Sequence, residues 1–205
     1  MNRLLRPALF VLAAGLLIAC APKSDDATPP HEDWIIESRV QFQGDRPKER
    51  LRLWVPYVVG DLYGSPNAGE IATATLRPDL AFTLNLNLGY NKLQRALIPT
   101  AFSQKWMTLE PKDARVARII PFVLPVDGIA PVGTAEWLDT DTNVRLLLVY
   151  VDRPARVRGE IVHDGRSLRF DIDAKSAGYL WVKQPEGSGD YTVVPRPKNL
   201  VLAVF

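Results

Sequence analysis

"RVRGEIVHDGRSLRFDID", residues 156–173, decides the fold class of this 205-residue chain. Asp164-Gly165 stands between two stretches that alternate apolar and polar residues, a strong short-range signal for a hairpin closed by a two-residue type I′ turn. With that turn His163 faces Arg166, and pairing runs outward from there. Ile161 meets Leu168, Gly159 meets Phe170 and Val157 meets Ile172, so one face is apolar apart from the glycine. On the other face Glu160 meets Arg169, Arg158 meets Asp171 and Arg156 meets Asp173. Opposite charges directly across a ladder contribute about 0.2–1 kcal/mol per pair. A one-residue slip would turn the whole apolar set to water, so the register is well specified. Arg156, Arg158 and Arg169 therefore read as partners of carboxylates rather than as an anion-binding patch.

Outward from the hairpin, a period of two dominates from Trp34 onward. "FTLNLNLGYN", 82–91, alternates strictly, with Phe82, Leu84, Leu86, Leu88 and Tyr90 on one side. "RLRLWVPYVV", "EIATATL", "RVARIIPFVL", "NVRLLLVYV", "AGYLWVK" and "NLVLAVF" are further short stretches rich in β-branched or aromatic residues, bounded by Gly, Pro, Asn and Asp. The 17 prolines argue against long helices, and Pro56 and Pro121, inside apolar runs, suggest edge strands or bulges. A helix is entertained only near 91–97 or 99–105. The pattern predicts an all-β fold, an antiparallel β-sandwich. "RLWVPYVV…GEI…LAFTLN" (52–85) echoes "RLLLVYVD…GEI…LRFDID" (145–173). One compact domain over 34–205 is the first choice, and two tandem small sandwiches, 34–110 and 111–205, are the alternative.

The chain opens MNRLLRPALFVLAAGLLIAC. Arg3 and Arg6 precede an apolar run, 9–18, that is too short to span a bilayer comfortably and has the layout of a secretory signal. It ends in Leu17-Ile18-Ala19-Cys20, and Cys20 is the single cysteine of the chain. This stretch resembles the lipobox of bacterial lipoproteins. The resemblance implies removal of residues 1–19 as a signal peptide and acylation of the Cys20 thiol with diacylglycerol, so that the bilayer is one partner. Ala21, where an Asp would favour retention in the inner membrane, implies the outer membrane with the domain facing the periplasm. "APKSDDATPPHED", 21–33, is polar and Pro-containing. With Cys20 it forms a flexible tether over 20–33. With Arg3 and Arg6 removed, the basic residues balance the 23 acidic ones, which argues against a nucleic-acid partner.

Motifs for chemistry are sparse. His31 lies in the tether, His163 flanks the turn, and no Gly-x-Ser-x-Gly elbow is present. "DTDTN", 139–143, opens like a calcium loop, but Val144 and Tyr150 occupy its sixth and twelfth positions, so it reads as a polar turn. No catalytic residue, metal site or cofactor is expected. Tyr179 and Trp181 share one face of a strand and are candidate ligand contacts for a sugar; Leu180 and Val182 make the other face apolar too, the mark of a strand buried on both sides. Asn85, Asn87 and Asn91 form a polar comb that would suit a glycan or a solvated face. "NLVLAVF" is apolar on both faces, as in a buried strand rather than in a membrane-spanning barrel strand. The sequence thus points to a non-catalytic envelope lipoprotein whose β domain binds another envelope component, with strand addition at an edge as a natural mode. The alternatives are a glycan or small-ligand module using Tyr179 and Trp181, and a hydrolase with two carboxyl groups converging in a cleft.

Overall fold

The structure, a computed structural model, describes residues 34–57, 69–89, 93, 107–163 and 165–205. Residues 1–33, Asp164 and, Leu93 apart, the helix candidates at 91–97 and 99–105 lie outside them. Strands dominate the described residues: β1 (Ile35–Phe42), β2 (Leu51–Tyr57), β3 (Gly69–Thr75), β4 (Ala81–Asn85), β5 (Met107–Glu110), β6 (Val116–Ile119), β7 (Phe122–Pro125), β8 (Ala135–Asp139), β9 (Val144–Val151), β10 (Ala155–His163), β11 (Arg166–Ala174), β12 (Gly178–Lys183), β13 (Gly189–Val194) and β14 (Leu200–Val204). A large sheet runs β4-β1-β14-β8-β9-β12-β13-β11-β10-β5, with β6 also on β9, and a small antiparallel sheet runs β3-β2-β7. The fold is all-β and sandwich-like, as expected, but the large sheet is mixed. β1 runs parallel to β14 and β11 parallel to β13. Parallel neighbours need a long crossover rather than a tight turn, and a crossover leaves no local mark in the sequence.

The 156–173 hairpin has the register its turn dictates, in nine pairs from Ala155↔Ala174 to His163↔Arg166. The charges pair less simply. Arg158 reaches Asp171 at 3.3 Å, but Arg156 leans diagonally to the same carboxylate at 3.7 Å. Arg169 turns away from Glu160 to Asp190 on β13, its in-register neighbour there, at 2.6 Å. Glu160 instead accepts from the Ser167 hydroxyl, and Asp173 pairs with Lys175 at 2.6 Å. These side chains are about half exposed, so each pair contributes at most about 1 kcal/mol; together they tile a charged outer face over β10, β11 and β13.

Two apolar clusters lie on opposite faces of β9 and β12. Leu146, Leu148, Tyr150 and Trp181 point into the first, with Trp34, Ile36, Phe82, Leu84, Trp137 and Leu202. The small sheet closes over this cluster with Leu53, Val55, Ile71 and Val123. Val149, Val151 and Val182 point the other way, into the second cluster, with Val116, Val157, Ile172 and Tyr191. Strict alternation in strands buried on both faces produces the near-continuous apolar runs "RLLLVYV" and "YLWV". Around the second cluster the ladder forms a circuit. β9 passes into β10 through residues 152–154, and the pairings β9-β12-β13-β11-β10 return to it. β5 and β6 follow the same corner, pinned where Arg115 N–H donates to Asp152 Oδ1 at 2.8 Å and Arg153 reaches Asp113 at 2.7 Å. Strands that bend from one layer into another make such corners.

The pairs β1–β14 and β5–β10 both cross the 110/111 boundary of the tandem alternative. The sequence echo does not recur as one pairing scheme: Gly69 and Glu70 pair with β2, whereas Gly159 and Glu160 pair with β11. "RVARIIPFVL" is two strands, not one. Pro121 separates β6, which joins β9 in the large sheet, from β7, which joins β2 in the small one. Pro56 falls at a register shift in the β2–β3 ladder, beyond the reach of β7, where its missing N–H leaves no gap.

Candidate functional site

Tyr179 and Trp181 sit on the first-cluster face of β12; Trp181 is buried in the core and Tyr179 is half-buried against it. Trp181 is 6% exposed and meets Trp137 edge to face at 5.4 Å. Tyr179 packs edge to face against Trp34 at 5.1 Å and Tyr150 at 5.3 Å, and its hydroxyl donates to the Leu86 carbonyl at 3.2 Å. Trp181 thus offers no open face to a ligand, and half-buried Tyr179 is held at both ring and hydroxyl, because the turn after β4 comes against β12. Tyr179→Phe is expected to cost about 0.5–1.5 kcal/mol, the net worth of one such hydrogen bond, read as a shift in the urea midpoint with an unchanged slope.

The Asn comb is corrected. The strand stops at Asn85, and residues Leu86–Gly89 form a 3-10 turn. The Asn85 side-chain oxygen accepts the Asn87 backbone N–H at 3.0 Å and its side-chain amide at 3.1 Å. That local bond offers the backbone an alternative to the ladder. Asn91 lies outside the described residues. In "DTDTN", Asp139 accepts from Asp141 N–H at 3.1 Å and from the Thr142 hydroxyl at 2.7 Å, so its carboxylate holds the turn together. Among the described residues no group of three or more His, Cys, Asp or Glu is arranged to hold a metal ion.

The site with an open surface lies elsewhere, at a fork in the large sheet. One edge of β9 pairs with β8 as far as Trp137↔Leu146, then with β6 from Ile119↔Leu148. At Leu147 the edge changes partners, and the start of β8 diverges from the end of β6. Ala135 and Glu136 remain paired with β14 but have no ladder partner on the β9 side. A cleft of about 420 Å³ opens there, with Ile120, Pro121, Phe122, Pro131 and Phe205 in its apolar wall and Arg118 and Glu136 at its polar side. Its floor is held by backbone bonds between Thr134 and Phe205 at 3.0 and 3.3 Å. Gly133 is required beside them, because a Cβ there would lie 2.5 Å from the Phe205 carbonyl oxygen.

Apolar side chains gather at this cleft. Among the described residues five large hydrophobics are exposed: Val126, Ile129, Val162, Val193 and Phe205. Val126 and Ile129 belong to the connection 126–134, whose end lines the cleft, and Phe205 is part of its wall. Ile129 is 93% exposed, although bonds from Val126 N–H to Arg50 O at 2.8 Å, Gly128 N–H to Pro125 O at 3.1 Å and Val132 N–H to Val123 O at 2.9 Å pin the connection on both sides of it. Scattered exposed apolar residues are ordinary; here Val126 and Ile129 stand on one pinned loop, and of the five only Phe205 lines the cleft.

Charge at the cleft is uneven. Glu136 is already engaged by Arg145 at 3.2 Å, and the Arg145 guanidinium lies 5.3 Å from the centre of the Phe205 ring, a cation–π contact. Arg118 is exposed and has no carboxylate partner among the described residues. On its inner side lies Tyr191, whose phenol burial pushes up and the Arg118 charge partly pulls back. The chain matches no family model, no curated protein and no solved structure. The meaning of the cleft therefore rests on its own chemistry. Sequence reasoning missed it because its walls come from three separate stretches, 118–122, 131–136 and Phe205; the signal within reach was "VDGIAPVG", 126–133, an apolar segment outside any strand pattern.

Proposed function

We propose that the protein is a lipid-anchored component of the bacterial envelope, held by Cys20, whose β domain binds another envelope protein and carries out no chemistry of its own. What supports the binding role is an open cleft with an apolar wall, together with a pinned loop, 126–134, that exposes Ile129 and supplies Pro131 to that wall. What supports the anchor is the run from Arg3 to Cys20, with tether 20–33 leading to Trp34. Trp34 is 6% exposed and packed against Tyr179, so the tether pulls on a fixed point of the core. Fully extended, the tether spans at most roughly 50 Å. Each buried CH₂ of the acyl chains contributes about 0.8 kcal/mol to holding the protein at the bilayer.

Growth of the source bacterium with a radiolabelled fatty acid tests the anchor. The native chain is expected to take up label and to sediment with membranes. Cys20→Ala is expected to lose the label. Equal labelling of both chains would end the lipoprotein reading.

A further inference from the structure

We infer that the cleft at the β6/β8 fork receives an extended segment of a partner protein in which a carboxylate is flanked by apolar side chains, and that Arg118 reads the carboxylate. This rests on the domain being a partner-binding module and names what it binds. Three observations converge. The mutual bonds of Thr134 with Phe205 turn the main-chain groups of Ala135 to the other edge of β8, where they have no ladder partner on β9, and an extended chain can pair with them by strand addition. The wall of Ile120, Pro121, Pro131 and Phe205 takes apolar side chains, and the loop that supplies Pro131 also carries the exposed Ile129. The remaining polar group sets the sign of the partner. Glu136 is engaged by Arg145, so among the described side chains lining the cleft Arg118 is the charge without a partner, and complementarity calls for an acid.

The position of the cleft agrees with a partner other than the anchoring bilayer. β1 runs from the tether end at Trp34 to Phe42, which pairs with Val204 beside Phe205 and Thr134. The cleft therefore lies at the far end of β1, roughly 25 Å from the tether at the usual rise per strand residue.

The test uses the full chain in detergent on immobilised ten-residue peptides with Gly/Ser flanks and a centre of Leu-Asp-Leu, Leu-Lys-Leu, Ser-Asp-Ser or Leu-Ser-Leu. Leu-Asp-Leu is expected to be retained about fivefold over Leu-Lys-Leu, the range of one exposed ion pair. Arg118→Glu is expected to reverse that order, and Ile129→Ser to weaken retention without reversing it. Arg118→Gln, which only removes the charge, serves if the reversal variant fails to fold and is expected to abolish the preference. An unchanged preference in either Arg118 variant overturns the proposal. So does equal retention of all leucine peptides, binding of phosphatidylglycerol vesicles that Ile129→Ser abolishes, or a concentration-dependent dimer that the same change dissolves. The array does not involve the acyl anchor and fatty-acid labelling does not involve the cleft, so failure of one is distinct from failure of the other.

Discussion

Trp137→Ala is expected to destabilise the domain by about 3–5 kcal/mol, the range for removing a buried indole from a packed core. For a domain of this size that lowers the midpoint of thermal unfolding by roughly 6–20 °C. Trp137 is 2% exposed. Its ring lies between Phe82 at 6.2 Å and Trp181 at 5.4 Å, and so joins β4, β8 and β12 across the first cluster. Strands on three sides are held by their own ladders and cannot collapse into the space, so both the transfer loss and the cavity loss apply. Trp54 is the control. It is half-buried outside that cluster and touches Phe122 at 6.0 Å, so Trp54→Ala is expected to cost less than half as much. Differential scanning calorimetry of the three chains decides; equal losses would mean that Trp137 is not held as the packing implies.

Gly178→Ala is expected to cost roughly 2–6 kcal/mol, a large loss for a single methyl group. Gly178 has φ of 132°, a region that L side chains avoid at about 1–3 kcal/mol. The new Cβ would also stand 2.8 Å from Cζ2 of Trp34, and overpacking adds about 1–3 kcal/mol. The two contributions separate in a double-mutant cycle. In a Trp34→Leu background the steric part is relieved and the backbone part stays, so Gly178→Ala is expected to cost less there. An identical cost in both backgrounds would remove Trp34 from the explanation.

Local signals carried much of the fold into the sequence. The Asp-Gly turn with its flanking alternation was enough for the whole β10–β11 register, because one buried face excludes every slipped alternative. The apolar doubling at Leu180 and Val182 marked β12 as packed on both faces, and Trp181 is buried there. Non-local features were not legible. The parallel pairs arise from crossovers, and the assignment of β6 and β7 to different sheets depends on what each meets after Pro121. At Asn85 a side-chain bond outcompeted the ladder in a stretch whose alternation was otherwise perfect. The cleft was hidden for the same non-local reason: Arg118 and Glu136 become neighbours because β6 and β8 share one edge of β9, and Phe205 joins them because β14 returns between β1 and β8.

That return of β14 also governs the order in which the molecule can be built. A chain that emerges N-terminus first delivers β1 and β8 long before residues 200–204. Until those five residues arrive, β1 and β8 lack the neighbour that joins them, and Leu202 is missing from among Ile36, Phe82 and Trp137. Pairing of such high sequence separation comes late and slowly, so the large sheet cannot close until β14 has been made. Under the proposed anchor, in which the precursor crosses a membrane before it folds, this postponement favours a chain that is still unfolded when export begins.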